Sequence, residues 1–186
     1  MRPKHLDLFF IALLPPLEVQ QQVTQFKLEL RDRIGCRHAL KSPPHITLFP
    51  PFQYPQDQRP QLDGLQQFCQ NQAPVPITLK GFGHFKSRVI YVHPLKSPEL
   101  LTVYDQLQSF LKQTLQLIDP MASRRNFAPH MTIALRDLKR DRFSAAWALF
   151  QDRAFHATFT ATHLTLLKHH GHGWKIDQEW LFPLAS

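Results

Sequence analysis

The chain has 186 residues, 43% of them hydrophobic, which is enough for a packed core and excludes a chain that is disordered throughout. Its 22 basic and 14 acidic residues give a formal net charge of +8, which favours an anionic partner, above all a nucleotide or nucleic acid. Cys36 and Cys69 are too few for a disulfide scaffold, so we expect both to be reduced thiols.

Strand and helix signals alternate in the first half of the chain. The apolar run Leu6–Leu14 predicts a central strand. It is too short to span a membrane and carries no signal-peptide cleavage site, so we expect a cytoplasmic protein without membrane contact. Apolar residues at helical spacing predict an amphipathic helix over 17–34 that ends at Gly35. A strand over 45–49 is expected to be short, because proline pairs bracket it on both sides.

The second half continues the alternation. A short helix around Leu65 precedes two strands, at 77–79 and 89–92. The sequence Ser97-Pro98-Glu99 supplies a hydroxyl N-cap, a proline at the first helical position and an acid in the first turn, so a helix begins there. The remaining predicted elements are a strand over 130–135, a helix around 143–150, and a C-terminal hairpin with arms at 155–167 and 174–182.

The whole is typical of one mixed α+β domain, 1–186, with a weak internal duplication. Each half carries one Pro-His-apolar-Thr-apolar sequence, Pro44-His45-Ile46-Thr47-Leu48 in the first and Pro129-His130-Met131-Thr132-Ile133 in the second. Positions i and i+2 of a strand share a face. Each histidine should therefore project beside its threonine, while Ile46 and Met131 pack into the opposite layer.

Such a pair suits displacement at phosphorus. One histidine can activate the attacking oxygen and the other can protonate the leaving oxygen, since imidazole titrates near neutrality. The threonine hydroxyls can donate hydrogen bonds to the non-bridging oxygens, where negative charge builds up. A single His-x-Thr is usually an ordinary strand with a polar face, but two copies with matching flanks favour catalysis.

The paired motifs resemble those of the 2H phosphoesterase superfamily, in particular its 2′-5′ RNA ligase and cyclic phosphodiesterase branch. The segments 79–85, 88–92 and 127–134 and the C-terminal hairpin are also similar to that branch. The resemblance implies a bilobal, pseudo-twofold fold, with two antiparallel sheets around a central cleft and helices packed outside. It also implies hydrolysis of 2′,3′-cyclic phosphates or related esters, or reversible 2′-5′ joining of RNA ends.

Carried over to this sequence, the resemblance makes His45 and His130 the acid/base pair and Thr47 and Thr132 the phosphate donors, with no metal or other cofactor. Many members have an arginine shortly after the second motif. Here Arg136 stands one position later, and an extra residue on a strand reverses the face of the side chain unless a bulge compensates.

Further candidates for substrate binding flank the motifs. Arg124 and Arg125 precede the second motif and could guide a phosphate, although an ordinary solvated loop fits them equally well. Phe49 and Phe127 could stack on a base. The cluster His169, His170 and His172 could hold a metal, but an exposed turn is favoured, because apart from Asp177 no acidic or cysteine ligand lies near it in sequence.

The sequence thus predicts a monomeric phosphodiesterase acting on a nucleotide or RNA end. Two alternatives remain, a non-catalytic RNA- or nucleotide-binding protein that kept the cleft and a basic structural protein with coincidental motifs. Binding alone would be served as well by lysine or arginine, which makes the paired histidines favour the enzyme.

Overall fold

The computed structural model describes residues 5–120 and 126–184. Strands and helices alternate along these residues, and two short 3₁₀ segments lie at His38–Lys41 and Gln56–Gly64. The strands are β1 (Leu6–Leu13), β2 (Ile46–Pro55), β3 (Val75–Phe85), β4 (Val89–Pro94), β5 (Met131–Ala134), β6 (His156–Ala161), β7 (His163–His169) and β8 (Trp174–Leu181). The α-helices are α1 (Leu17–Ile34), α2 (Leu65–Gln70), α3 (Pro98–Thr114) and α4 (Arg140–Ala148).

The strands form two four-stranded sheets in which all neighbours are antiparallel. The first sheet has the order β2-β1-β7-β8 and the second has the order β5-β4-β3-β6. The two orders correspond, so β2 and β5, the strands that follow His45 and His130, are equivalent edge strands. The α+β, pseudo-twofold architecture around a cleft is therefore confirmed.

Local signals explain the two long helices. Helix α1 has the predicted bounds, buries Val19, Val23, Phe26 and Leu30, and ends at Gly35, whose φ of 87° is left-handed. Helix α3 begins where the capping residues predicted, because the Leu100 amide donates a 3.2 Å hydrogen bond to the Ser97 hydroxyl.

The prediction of a short strand at 45–49 was wrong. Strand β2 runs on through Pro50 and Pro51 to Pro55. Proline is tolerated there because β2 is an edge strand, and because the register with β1 shifts between the pairs Phe9–Phe52 and Ile11–Phe49. The two prolines lie in this irregularity, where no ladder hydrogen bond is required of them.

The prediction that residues 155–167 form one strand, the first arm of the C-terminal hairpin, was also wrong. Residues 155–167 do not form one strand, since β6 belongs to the second sheet and β7 to the first. The break falls at Thr162, whose carbonyl accepts a 2.8 Å hydrogen bond from the Phe182 amide. A continuous β-prone sequence does not reveal a change of sheet, because both strands need the same residue types. The hairpin of β7 and β8 is confirmed.

One buried cluster joins both sheets to the helices. Alternate β1 residues Phe9, Ile11 and Leu13 belong to it, whereas Phe10 and Ala12 lie on the other face in a smaller cluster with Leu167. Within the described residues, no helix is long and apolar enough to cross a membrane.

Candidate active site

Both motifs enter an edge strand in the same way. His45 directly precedes β2 and His130 directly precedes β5. Ile46 and Met131 are each 0% exposed, which confirms that the residue between histidine and threonine packs inward. His45, Thr47, His130 and Thr132 are all half-buried. The alternation of the strand therefore turns each His-Thr pair away from the core.

The two imidazoles have the same backbone anchor. Nδ1 of His45 donates to the Pro43 carbonyl at 2.7 Å, and Nδ1 of His130 donates to the Ala128 carbonyl at 2.8 Å. A carbonyl oxygen can only accept, so Nδ1 carries the proton in each ring. The neutral form of each histidine then has its lone pair on Nε2, the nitrogen that a general base uses.

Aromatic rings pack against each histidine. The His45 ring lies 4.7 Å from the Phe10 ring, and the His130 ring lies 5.0 Å from Phe85 and 5.8 Å from Tyr91, measured between centroids. Tyr91 in turn lies over Gly83, where an added Cβ would come within 2.6 Å of the tyrosine ring. Gly83 is thus required for the close approach that supports His130.

Residues of both motifs line one cleft. A cavity of about 540 Å³ is bordered by Thr47 from the first motif and His130 from the second, with Phe85 and Phe127 on its walls. This volume suits a nucleotide-sized ligand. His45 is not among the residues that line this cavity, but the charge of His130 is one of the smaller causes that lower the pKa of His45.

His45 meets a less polar environment than an ordinary histidine. Burial lowers the pKa of His45 to about 4, with smaller contributions from the charges of Lys27 and His130 and an opposing one from the Pro43 carbonyl. His45 is therefore neutral at pH 7. Lys27 on α1 is itself only 2% exposed, and burial lowers the pKa of this amine to about 7.

The flanking candidates divide into three groups. Phe49 is 2% exposed and packs on Phe52 in the core, so its prediction as a base-stacking residue was wrong. It failed because β2 is irregular here: regular alternation after His45 and Thr47 would place Phe49 on their face, but the register with β1 shifts at this point. Phe127 borders the cleft and stacks on Tyr104 at 3.9 Å and 8° between ring planes. Arg124 and Arg125 lie outside the described residues.

Arg136 lies beyond the end of β5, where the extra residue takes it. Its φ of 58° is left-handed, and its exposed side chain borders a basic surface hollow with Arg88, Lys139 and Arg140, not the cavity that contains His130. The next residue, Asp137, accepts hydrogen bonds from the amides of Arg37 and His38 at 2.6 and 2.7 Å, which fixes this loop to the first half of the chain.

The histidine-rich segment forms a tight turn. The His170 amide donates to the Gly173 carbonyl at 2.8 Å, and the His169 ring packs against Trp174 with centroids 5.0 Å apart. No group of three metal-ligating side chains is found among the described residues. His84, in the central hairpin, packs against Phe143 and Trp147 of α4.

Sequence reasoning missed Lys27, Phe10 and Tyr91. For Lys27 a signal existed, because it stands in the register of the buried α1 residues Val23 and Leu30, where a lysine is anomalous on an amphipathic helix. Phe10 and Tyr91 gave no such signal, since an aromatic residue on a strand is ordinary. Only the pairing of β1 with β2 and of β4 with β5 brings them to the histidines.

Two antiparallel sheets that each carry a His-x-Thr motif at an edge strand, with Thr47 of one motif and His130 of the other lining one cleft, are the framework of a 2H phosphoesterase. The sequence model of the 2′-5′ RNA ligase superfamily matches residues 15–173, and the chain belongs to this family.

Individual relatives agree with this assignment. A Geobacillus kaustophilus protein, named provisionally as a phosphoesterase, is 28% identical over 178 residues, covering 92% of this chain and 94% of that protein. TT0787 of Thermus thermophilus has the same fold, with a TM-score of 0.69, 18% identity and coverage of 96% and 100% of the two chains. E. coli LigT complexed with 3′-AMP gives a TM-score of 0.66, 18% identity and coverage of 96% and 99%. E. coli LigT has also been solved with NADP+, at a TM-score of 0.64, 20% identity and coverage of 96% and 99%.

Proposed function

We propose that the protein is a metal-independent phosphodiesterase that hydrolyses 2′,3′-cyclic phosphates or related esters of nucleotides and RNA ends. One observation carries the proposal. Both histidines donate Nδ1–H to the carbonyl two residues earlier, so in both rings Nε2 is the nitrogen that can take up or give a proton. A cleft that only bound an anion would gain nothing from this matched tautomer.

We infer different tasks for the two histidines from their surroundings. His45 is neutral at pH 7, because burial lowers its pKa to about 4, and it acts as the base that takes a proton from water. The bond between the water oxygen and phosphorus forms as the bond between phosphorus and one ribose oxygen breaks. His130, in its protonated form, gives a proton to that departing oxygen. Exchange of protons with solvent then restores both rings.

The other residues of the cleft bind and orient. Thr47 and Thr132 donate hydrogen bonds to the non-bridging oxygens, on which charge increases in the transition state. Phe127, held by its stack on Tyr104, offers a flat surface to a base. Joining RNA ends through a 2′-5′ bond is the same displacement with a ribose 5′-hydroxyl in place of water, so it would use the same groups. That E. coli LigT has been solved with 3′-AMP and ATP supports nucleotides as ligands of this cleft.

The test is turnover of nucleoside 2′,3′-cyclic phosphates and short cyclic-phosphate RNAs in the presence of EDTA. We expect activity that survives the chelator and falls at least about 100-fold in His45→Ala and in His130→Ala, the usual size of a general acid or base contribution. Thermal melts of both variants check that they remain folded. His163→Ala, at an exposed histidine of β7, is the matched control and should retain wild-type activity.

Two results would contradict the proposal. Activity that persists in both histidine variants removes the acid/base mechanism. Tight binding of cyclic nucleotides and RNA ends without turnover, across a panel of both, favours the non-catalytic binding protein instead.

A further inference from the structure

A second cavity lies beside the segment that leads into His45. It has a volume of about 250 Å³ and shares no lining residue with the cleft. Its walls come from helix α1, the 3₁₀ segment His38–Lys41, the stretch 42–44 and β8. Since a water occupies roughly 30 Å³ of the liquid, the cavity has room for a phosphate group with several waters.

Lys27 is the buried charge of this cavity. Its side chain is 2% exposed, and Nζ donates one hydrogen bond, at 3.0 Å, to the Ser42 carbonyl. An ammonium has three donors, and Lys27 forms no ion pair with the described part of the chain. A buried charge without a counter-ion is costly, so a bound anion would stabilise this site.

The remaining lining residues favour the same kind of ligand. Lys41 adds a second positive charge, and Gln20, Thr24 and Ser42 add polar groups. None of the described residues that line the cavity is acidic. Two lysines with hydroxyl and amide groups suit a phosphate better than a neutral or cationic ligand.

The cavity has a rigid wall next to the catalytic region. Gly173 approaches the Lys41 carbonyl so closely that an added Cβ would lie 2.7 Å from that oxygen. Trp174, the next residue, lines the cavity and packs edge-on against Phe10, with centroids 4.6 Å apart. Phe10 contacts His45, and Pro43 and Pro44 of the cavity wall directly precede His45 in the chain. Cavity and catalytic histidine thus share one packed framework.

We propose that this cavity binds a second phosphate of the substrate, so that the enzyme prefers ends that carry a phosphate next to the one it cleaves. The inference rests on the proposed function and makes it more specific. An RNA end or a 5′-phosphorylated nucleoside 2′,3′-cyclic phosphate fits, whereas an unphosphorylated nucleoside cyclic phosphate leaves Lys27 without its counter-ion. Burial without a counter-ion lowers the pKa of Lys27 to about 7, and a bound phosphate would favour its charged form.

The first experiment compares adenosine 2′,3′-cyclic phosphate with its 5′-phosphorylated form. We expect the wild type to have a kcat/KM about tenfold higher for the 5′-phosphorylated substrate, the worth of one charge-assisted contact. Lys27→Met should abolish this preference and should still cleave the unphosphorylated substrate, because burial, the main cause of the low pKa of His45, remains. Lys112→Met, at an exposed position of α3, removes the same charge elsewhere and should leave the preference intact. Lys27→Gln keeps a donor for Ser42 and replaces Lys27→Met if that variant unfolds.

The results separate this inference from the proposed function. A wild type that cleaves both substrates without preference, or a preference that survives in both Lys27 variants, overturns the inference alone. An equal loss on both substrates makes Lys27 a structural residue and overturns it as well.

A binding experiment applies even if neither substrate is cleaved. Calorimetry should show that adenosine 3′,5′-bisphosphate binds about tenfold more tightly than adenosine 3′-monophosphate, and that Lys27→Met removes the difference. Equal binding of the two nucleotides overturns the inference. Inorganic phosphate that binds as tightly as the bisphosphate, in a manner that depends on Lys27, identifies a site for free anions and also overturns the claim about substrate.

Discussion

The two halves of the molecule place the same His-x-Thr pattern in different surroundings. At the first motif, His45 lies against Phe10 and near the buried Lys27, and Ala12 pairs with Thr47 across the strands. At the second motif, His130 lies against Phe85 and Tyr91, and Tyr91 is the residue that pairs with Thr132. The two histidines form the same hydrogen bond from Nδ1 to a backbone carbonyl, but different residues surround them.

In the mechanism that we propose, this difference allows a symmetric pair of histidines to perform an asymmetric reaction. Hydrolysis needs one ring that begins neutral and one that begins protonated. The repeat supplies two equivalent rings, and the environment of His45 keeps that ring neutral by burial and a neighbouring positive charge. In the proposed mechanism, residues outside the motifs therefore distinguish the two roles.

The largest effect on this comparison is expected when either threonine loses its hydroxyl. Thr47→Val and Thr132→Val should each lower kcat by roughly 10²–10³, the typical loss for one donor that stabilises transition-state charge. Thr→Ser at each position keeps the hydroxyl and should recover most of the rate. If one valine variant loses far less than the other, the two motifs do not share the phosphate equally.

The next test uses acid stability to separate the histidines. The pKa of His45 is about 4 in the folded protein and near 6.5 unfolded, so the folded state binds fewer protons between these values. Stability is therefore complete above pH 6.5 and is lost as the pH falls toward 4, by about 3 kcal/mol in total. Urea unfolding at pH 7.5 and 4.5 should show a smaller acid loss in His45→Gln than in wild type. A wild-type loss that His45→Gln leaves unchanged would contradict the burial of this ring.

The third test compares Gly83, which lies against Tyr91 near the second motif, with Gly173, which lies against Lys41 ahead of the first motif. Gly83→Ala would place a Cβ 2.6 Å from the Tyr91 ring, and Gly173→Ala would place one 2.7 Å from the Lys41 carbonyl. Each should cost about 1–3 kcal/mol of unfolding free energy, with the larger cost at Gly173 because backbone yields less than a ring. Gly64→Ala is the control, since an added Cβ there meets no atom within 4 Å. A larger cost at Gly64 than at the other two would contradict these close approaches.

The smallest effect is expected at Arg136, which has no equivalent in the first motif. Because its exposed side chain borders a hollow away from His130, Arg136→Ala should leave kcat unchanged and raise KM for an RNA substrate only about two- to threefold. The slope of the logarithm of the RNA-binding constant against the logarithm of the salt concentration should decrease in magnitude by about one. A large fall in kcat would instead place this guanidinium at the reacting phosphate.

Much of the local structure was predictable. The helix over 17–34 followed from apolar spacing and Gly35, and the start of α3 followed from Ser97 and Pro98. The inward packing of Ile46 and Met131 followed from strand alternation. These features depend on neighbouring residues in the chain, and propensity, periodicity and capping act at that range.

The failures have one physical origin. Pro50 and Pro51 are compatible with a strand only at the edge of a sheet. The local sequence does not show whether a strand will lie at an edge. The division of 155–167 between two sheets and the burial of Phe49 likewise depend on partners distant in the chain.

The sequence by itself therefore determined most of the elements, the family resemblance and the four residues proposed for the chemistry, because a repeated strand motif carries its own geometry. Only the tertiary structure decided what surrounds each histidine. Burial, the nearby Lys27 and the second cavity arise from segments that are far apart in sequence and meet only when the two sheets and α1 pack together.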